Sequence, residues 1–524
     1  MKSNSSVSRR QFLAGASVGA AALAGLGIVG CAPTASTKTV DSAAFDETTQ
    51  NASSSDIHPD SIQAVADTEP ASSESRETDI VIVGSGIGGM SAAVQASLAG
   101  AKVIILEKSK VTGGDSSICT GNFYCCGSKY QDSLGLTDYG TAEEIAQFYL
   151  AQSDGDANID ICRMVAENSG AAMDWLVSFG CEFEKKKGEN ISDRSMVSKN
   201  GGKGIIDTLI GVAENNGAEL MMETRAVEVM TENGRVSGIK ARQGDKEIVI
   251  SAKAVILATG GFDGQDWSKA LYAPGSVGWN SLSNPDNTGD GIELAKQAGA
   301  APIIKGGMSQ IHLVGREYVP LNDPISALRM INTGVFLSDL GYRCANESMT
   351  SQFDYFVPFV QSGRAHFFIL VDSQQPDDRI ELLEKALEAK VAHKADTIAE
   401  VSTAAGLEPY IVEKTIAHYN ELCDAGADPD FHKKPEDLQR IEEGPFYIVE
   451  ITPNTNDSFG QVPISTKSEA LDANRNPVPG LYAAGTLGNV ELFYMRYAIS
   501  GASMCMGTVT GRIAADSAME YYSA

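Results

Sequence analysis

Apolar residues in this chain come in short unbroken runs separated by glycine-rich turns. DIVIV (residues 79–83) and KVIIL (102–106) each predict a short strand buried on both faces. Between them, the stretch from the first glycine turn to about Gly100 predicts a helix. AVIL (254–257) and GLYAA (480–484) predict two more buried strands, each running into glycine. DTIAEVSTAAG (396–406) and EPYIVEKTIAHYNELCDAG (408–426) mix apolar and polar positions at helical spacing and predict amphipathic helices. Thr397 with Glu400 reads as a capping box opening the first of them. FYIVEIT (446–452) predicts a strand. Strands alternating with helices place the chain in the α/β class.

The N-terminus has a different pattern. FLAGASVGAAALAGLGIVG follows Arg9 and Arg10 and is nearly long enough to cross a bilayer. Its low hydrophobicity and the paired arginines point instead to a twin-arginine export signal, residues 1–31. Ile28-Val29-Gly30-Cys31 resembles a lipobox, so Cys31 is expected to carry lipid and anchor the protein outside the cytoplasm. Residues 32–76, rich in Ser, Thr, Ala, Asp and Glu, read as a disordered tether.

At 524 residues the chain is long enough for two or three domains. A net charge of −27 disfavours nucleic acid, which needs a basic face. With Cys31 assigned to lipid, eight cysteines remain, with no CxxC and no CxxCH, so no c-type haem or ordinary zinc site is signalled.

The chemistry begins at residue 84. Gly84, Gly86 and Gly89 form GxGxxG between a strand and a helix, and a second strand ends at Glu107. In that context the glycines bring backbone to a pyrophosphate, and Glu107 accepts hydrogen bonds from a ribose. VTGGDSS (111–117), AVILATGGF (254–262), NTGDGIELAKQAGA (287–300) and GLYAAGT (480–486) add four turns of the same kind, which favours one long cofactor, FAD, over NAD.

These motifs resemble those of the flavoprotein subunits of fumarate reductase and succinate dehydrogenase and of the related 3-ketosteroid dehydrogenases, over nearly all of residues 77–522. The resemblance implies a Rossmann-like FAD-binding domain, residues 77–307 and 457–524. An inserted α+β capping domain, 308–456, would close over the substrate. FAD would be held by Gly84, Gly86, Gly88, Gly89, Glu107, Lys108, Gly113, Gly114, Asp115 and Ser116, then by Thr259, Gly260, Gly261, Asp290, Gly485 and Thr486. Ser500, Gly501 and Ala502 would lie beside its ring. No histidine stands near GGDSS, so non-covalent FAD is expected.

In soluble fumarate reductases an arginine protonates the substrate, and two histidines and a second arginine hold its carboxylates. The segment GGMSQIHLVG (306–315) keeps the first histidine as His312. The protonating arginine should follow the Asn–Glu pair of VFLSDLGYRCANE (335–347), where Ser351 or Gln352 stands instead. Asn456 and Asp457 replace the paired histidines, and an aspartate repels a dicarboxylate in a desolvated site. The second arginine is present as Arg496. Tyr497, with Gly501 four residues on, resembles the pair that holds the ketone oxygen in 3-ketosteroid dehydrogenases, an expected oxyanion hole. Tyr355 is the expected proton donor, with Tyr494 as the alternative.

The expected activity is therefore reduction of an activated C=C bond in a small alkene by hydride from FAD. A 3-ketosteroid-type dehydrogenase is the alternative; fumarate reduction or a purely electron-carrying role fits these residues less well. Electrons would come from a separate cytochrome or quinol-linked donor, for which the acidic surface offers a dock.

Overall fold

Part of the stretch whose composition suggests a tether is folded. In the computed structural model, which describes residues 58–136, 139–153, 155–185, 195–313, 323–348, 362, 364–493 and 497–523 (at 308–312 and 330 the backbone alone), a short helix spans Ile62–Ala66. Strand β1 (Ser72–Glu77) then pairs in parallel with Lys246–Ser251 at the edge of a sheet. Residues 61–77 are thus folded, a correction to the tether expected through residue 76. The polar SSESRE run gives no apolar signal because this edge strand is held by its backbone bonds and by ion pairs of Glu74 and Arg76. The expected export signal, Cys31, Ser351, Gln352, Tyr355, Tyr494 and Arg496 lie outside the described residues.

β2 (Ile80–Val83) is wholly buried and leads through the glycine turn into α1 (Ile87–Leu98). β3 (Val103–Leu106) lies parallel to β2, with Ile80 opposite Val103. β4 (Glu219–Met221) flanks β3 on the outside, and β5 (Ala254–Leu257) flanks β2 on the other. Four-residue strands without a polar position suit a parallel sheet covered on both faces.

The chain then leaves this sheet for a second one. β6 (Gly306–Leu313), β7 (Val335–Ser338) and β8 (Phe367–Val371) are followed by α2 (Ile398–Ala404), α3 (Pro409–Ala425) and the long β9 (Phe446–Phe459). β9 pairs antiparallel with both β6 and β8. β8 feeds two cores by simple alternation: Phe367, Ile369 and Val371 pack with Phe336 and Tyr447, while Phe368 and Leu370 pack with Val401, Val412 and Tyr419 from the helices. Thr397 does cap α2, but Glu400 returns its bond to the Thr397 hydroxyl at 2.8 Å rather than to the backbone amide. Arg343 is clamped between Glu347 and Asp428, both at 2.7 Å and all nearly solvent-free. The expected boundaries at 307/308 and 456/457 fall inside one β-ribbon, since Gly306 pairs with Phe459 and Leu313 with Ile451. The two regions are joined by that ribbon.

β10 (Glu469–Leu471) and β11 (Pro477–Ala483) complete the first sheet in the order β10-β11-β5-β2-β3-β4, with β11 parallel to β5. The closing helix α4 (Ala502–Ser523) packs on α1 through glycine. A side chain at Gly511 would stand 2.2 Å from the Gly88 carbonyl oxygen, so only glycine permits that approach. Among the described residues no helix is long and apolar enough to cross a membrane.

Candidate active site

One cavity of about 1220 Å³ runs past the ends of β2, β3 and β5 and the start of α4. Its wall is built first by turns. Gly84 has φ +105°, and a Cβ there would sit 2.2 Å from the Ala258 carbonyl oxygen. A Cβ on Gly88 would sit 2.8 Å from the Gly485 amide nitrogen. At Gly86 no atom lies closer than 3.7 Å to an added Cβ, which leaves the turn open beside the start of α1. The Ser116 hydroxyl accepts from the Ile87 amide at 3.0 Å and ties the GGDSS turn to that helix start. Open backbone at the N-terminus of a 12-residue helix suits a pyrophosphate.

Glu107 is 8% exposed and oriented from three sides. Its Oε2 accepts from the Ser85 hydroxyl and amide, and its Oε1 from the Ser109 amide at 2.8 Å. The Ser85 hydroxyl also accepts from Gly113 N at 2.8 Å, so both glycine turns bear on this carboxylate. Next to it, Lys108 reaches Thr288 at 2.7 Å and Asp290 at 3.2 Å. Arg225 grips Asp290 with two bonds of 2.7 Å. Burial alone would raise the Asp290 pKa, but the Lys108 and Arg225 charges outweigh it and hold Asp290 at about 2. An open turn, an oriented ribose-type acid and a charge-matched wall fit FAD. In addition, the buried Thr259 hydroxyl has no hydrogen-bond partner among the described residues.

The other end of the cavity behaves oppositely. Asp115 accepts from the Asn284 amide and the Asn287 side chain. Burial, with Asp263 nearby, pushes Asp115 up to about 7. Asp457, on β9, accepts from Ser458 N at 2.9 Å through Oδ1 and from the Ser503 hydroxyl at 2.8 Å through Oδ2. Burial also pushes Asp457 up to about 7. Asp263 itself is fully buried and bonded to Ser283 and Ser458 at 2.7 and 2.6 Å. Among the described residues no lysine or arginine is ion-paired with these three acids.

The segment after residue 496 turns here into α4. The Tyr497 ring packs edge-on against Phe493, with centroids 5.3 Å apart, and its hydroxyl oxygen accepts from Ser503 N at 2.8 Å. Burial raises the Tyr497 pKa while the Ser503 side chain and amide pull against that shift, so the group stays a neutral phenol. Gly501 has φ +92°, and an added Cβ would stand 2.8 Å from the Phe123 and Tyr124 nitrogens. Its carbonyl accepts from Tyr124 N and Cys505 N, each at 3.2 Å. The Ser500 hydroxyl is held by Asn122 at 2.6 Å.

Most of the expected residues meet on this wall: Gly84, Gly86, Gly88, Glu107, Lys108, Gly113, Gly114, Asp115, Ser116, Thr259, Gly260, Asp290, Gly485, Thr486, Tyr497, Ser500 and Gly501. Gly89, Gly261 and Ala502 stand behind it. A Cβ at Gly89 would strike the Gly84 carbonyl at 2.0 Å, one at Gly261 the Ser458 hydroxyl at 2.5 Å, and Ala502 is fully buried at the start of α4. Their part is close packing. His312 pairs through its backbone with Thr452, and its side chain lies outside the described atoms. Sequence reasoning missed Arg225, Asn122, Asn284, Asn287 and Arg329, which all line the cavity. Arg329 comes from the 3-10 turn Pro324–Met330 and donates to the Ser326 carbonyl, and burial lowers its pKa. Asn287 opens the glycine turn NTGDG without itself being one of its signal residues, and the other four stand in no glycine motif, the one local signal available.

Residues 79–494 match the family described as FAD binding domain. A fumarate reductase (cytochrome) of Shewanella frigidimarina is 28% identical over 470 residues, covering 86% of this chain and 78% of its own length. A vinyl phenol reductase of Lactiplantibacillus plantarum is 29% identical, covering 78% of this chain and 89% of its own. A solved 3-ketosteroid-Δ4-(5α)-dehydrogenase from Rhodococcus jostii RHA1 superposes with a TM-score of 0.66 at 25% identity, covering 88% of this chain and 99% of its own.

Proposed function

The chain belongs to the FAD binding domain family, and from that premise we propose that this FAD-dependent oxidoreductase is an exported reductase of an activated C=C bond. The substrate would be an enone, an enoate or a conjugated aryl alkene. The observation that carries this reading is the Tyr497 hydroxyl, fixed by the Ser503 amide on a wall shared with Gly501 and Asp457.

FAD held in the cavity, without a covalent bond, supplies the hydride. The chain's own residues do the rest. Tyr497 O–H and Gly501 N–H hold the substrate oxygen on which charge develops. Their positions are set by Phe493 and Ser503 for the tyrosine and by Tyr124 for the glycine. Arg329 adds positive potential to the same cavity. Arg496 and His312 would orient the substrate, and Tyr355 or Tyr494 would give the proton to the near carbon. Asp457, when ionised, repels a carboxylate on the substrate, which counts against fumarate.

A 3-ketosteroid-type dehydrogenase is the second reading, favoured by the likeness to the Rhodococcus jostii enzyme over nearly its whole length. The paired arginines and Cys31 support export with a lipid anchor, and the net charge of −27 supports docking of a separate cytochrome or quinol-linked electron donor.

The test is an anaerobic screen. The FAD-loaded protein is reduced, and alkenes are compared for the rate at which they reoxidise it. An enone, enoate or aryl alkene should outrun fumarate. Fumarate matching the best alkene would overturn the substrate assignment, and faster turnover of a saturated ketone with an electron acceptor would favour the second reading.

A further inference from the structure

Two arginines face each other at the charge-matched end of the cavity. Arg225 and Arg242 stand directly opposite on the antiparallel strands Arg225–Glu232 and Arg235–Gln243, where like charges repel. Arg225 gives its Nε and Nη2 to Asp290, at 2.7 Å each, and both residues line the cavity. Its Nη1 donates to the Asp60 carbonyl at 3.0 Å. Arg242, 8% exposed, donates through Nη2 to the Thr68 carbonyl at 2.7 Å. Residues 58–68 therefore span the two arginines. None of them lines the cavity, so the segment backs its wall and does not cover it.

The segment is built to hold the Asp60 carbonyl. The His58 ring stacks on Trp267, with centroids 4.6 Å apart and planes within 6°. Its Nδ1 accepts from the Asp60 amide at 3.2 Å, so the stacked ring fixes the residue whose carbonyl Arg225 takes. Ser61 caps the helix Ile62–Ala66 through the Ala64 amide at 3.2 Å, and Ile62 is buried in the core. The hold is marginal all the same. A helix of five residues has little stability of its own. Arg242 Nε and Nη1 are buried with no hydrogen-bond partner among the described residues, and such unmet donors favour opening to water.

A guanidinium is planar, so fixing one of its nitrogens orients the other two. We propose that residues 58–68 are a brace for cofactor retention: His58 and Trp267 position Arg225 through Asp60, Arg225 positions Asp290, and the docked segment and bound FAD stabilise each other. The inference rests on the reading that FAD is held without a covalent bond. A cofactor held that way leaves when its site loosens, and the brace opposes that loosening. The coupling is reciprocal. FAD holds the segment closed by the same factor by which the closed segment tightens FAD.

The test compares hydrogen exchange of amides 60–68 in the FAD-loaded and FAD-free protein with the rate at which the loaded protein loses FAD on dilution. FAD should slow exchange there about tenfold. His58→Ala removes both the stack and the contact to Asp60, and should speed FAD loss by about the same factor. Trp267→Phe keeps an aromatic face under His58 and should lose FAD near the wild-type rate. A merely structural role predicts faster exchange in His58→Ala with FAD loss unchanged, and that result overturns the brace. So does wild-type exchange at 60–68 that is equal with and without FAD. Both results leave the non-covalent reading standing. Flavin that stays with the acid-precipitated protein overturns that reading, and the retention role with it.

Discussion

The two ends of the cavity use the same side chain in opposite ways. Asp290 is buried and held at about 2, while Asp115 and Asp457 are buried and pushed to about 7. Burial acts alike on all three, so neighbours decide the outcome. Asp290 has Lys108 and Arg225 against it. Asp115 and Asp457 face each other, Asp263, amides and hydroxyls. A charge-matched end has one stable state and suits holding a cofactor. An end whose acids sit near neutrality has two, and suits responding to a substrate.

The largest effect should come from breaking the matched end. Asp290→Ala leaves Lys108 and Arg225 facing each other in a nearly dry site. Removing one partner of a buried ion pair costs about 3–5 kcal/mol. Denaturant unfolding should show a loss of that order together with weakened FAD retention. Unchanged stability would mean that water already reaches the pair and the contrast between the ends is not electrostatic.

The next effect belongs to the responsive end. Tyr497→Phe keeps the ring against Phe493 and removes only the hydroxyl. Loss of one oxyanion donor typically costs about 3 kcal/mol, a hundredfold or more in rate. Alkene-dependent reoxidation of the reduced protein should slow by that factor, with FAD content unchanged. A wild-type rate would make Tyr497 a packing residue.

This division also explains what the sequence disclosed. Gly84, Gly113 and Gly501 were legible because each sits at positive φ where a side chain would be strained, a demand written at one position. Glu107 was legible by its place at the end of a buried strand. Arg225, Arg329 and Asn287 were not, because they reach the cavity from distant segments: Arg225 meets Asp290 across 65 residues, and Asn287 meets Asp115 across 172. The replacement of a histidine by Asp457 was visible and reads as simple repulsion. That burial, with Asp263 adding to it and Ser503 opposing it, would lift Asp457 to about 7 depends on surroundings that only the fold brings to it. Strand β1 was missed because its pairing rests on backbone bonds and a Glu74–Lys246 ion pair, neither of which leaves an apolar pattern.

The smallest effect is a pH dependence of stability, and its sign separates the two ends. Asp290 has a folded pKa below its unfolded value of about 3.9, so its contribution is present above that pH and lost as pH falls toward 2. Asp115 and Asp457 have folded values of about 7, above their unfolded values. The folded state therefore binds more protons than the unfolded chain between about pH 4 and 7. Their contribution is fully present below that window, declines as pH rises through it, and levels off above. Each group can supply at most about 1.4 kcal/mol per pH unit, and mutual coupling makes the pair worth less than twice that. Unfolding of the FAD-free protein at about pH 5 and about pH 8 should show the loss, and Asp457→Asn should remove one group's share of it by stabilising the protein at the higher pH. Asp290→Asn should leave this neutral-range slope untouched, since Asp290 stays ionised throughout it. An Asp457→Asn protein with the wild-type slope would mean that solvent screens this end as well as the other, and the two ends would then differ in composition without differing in response.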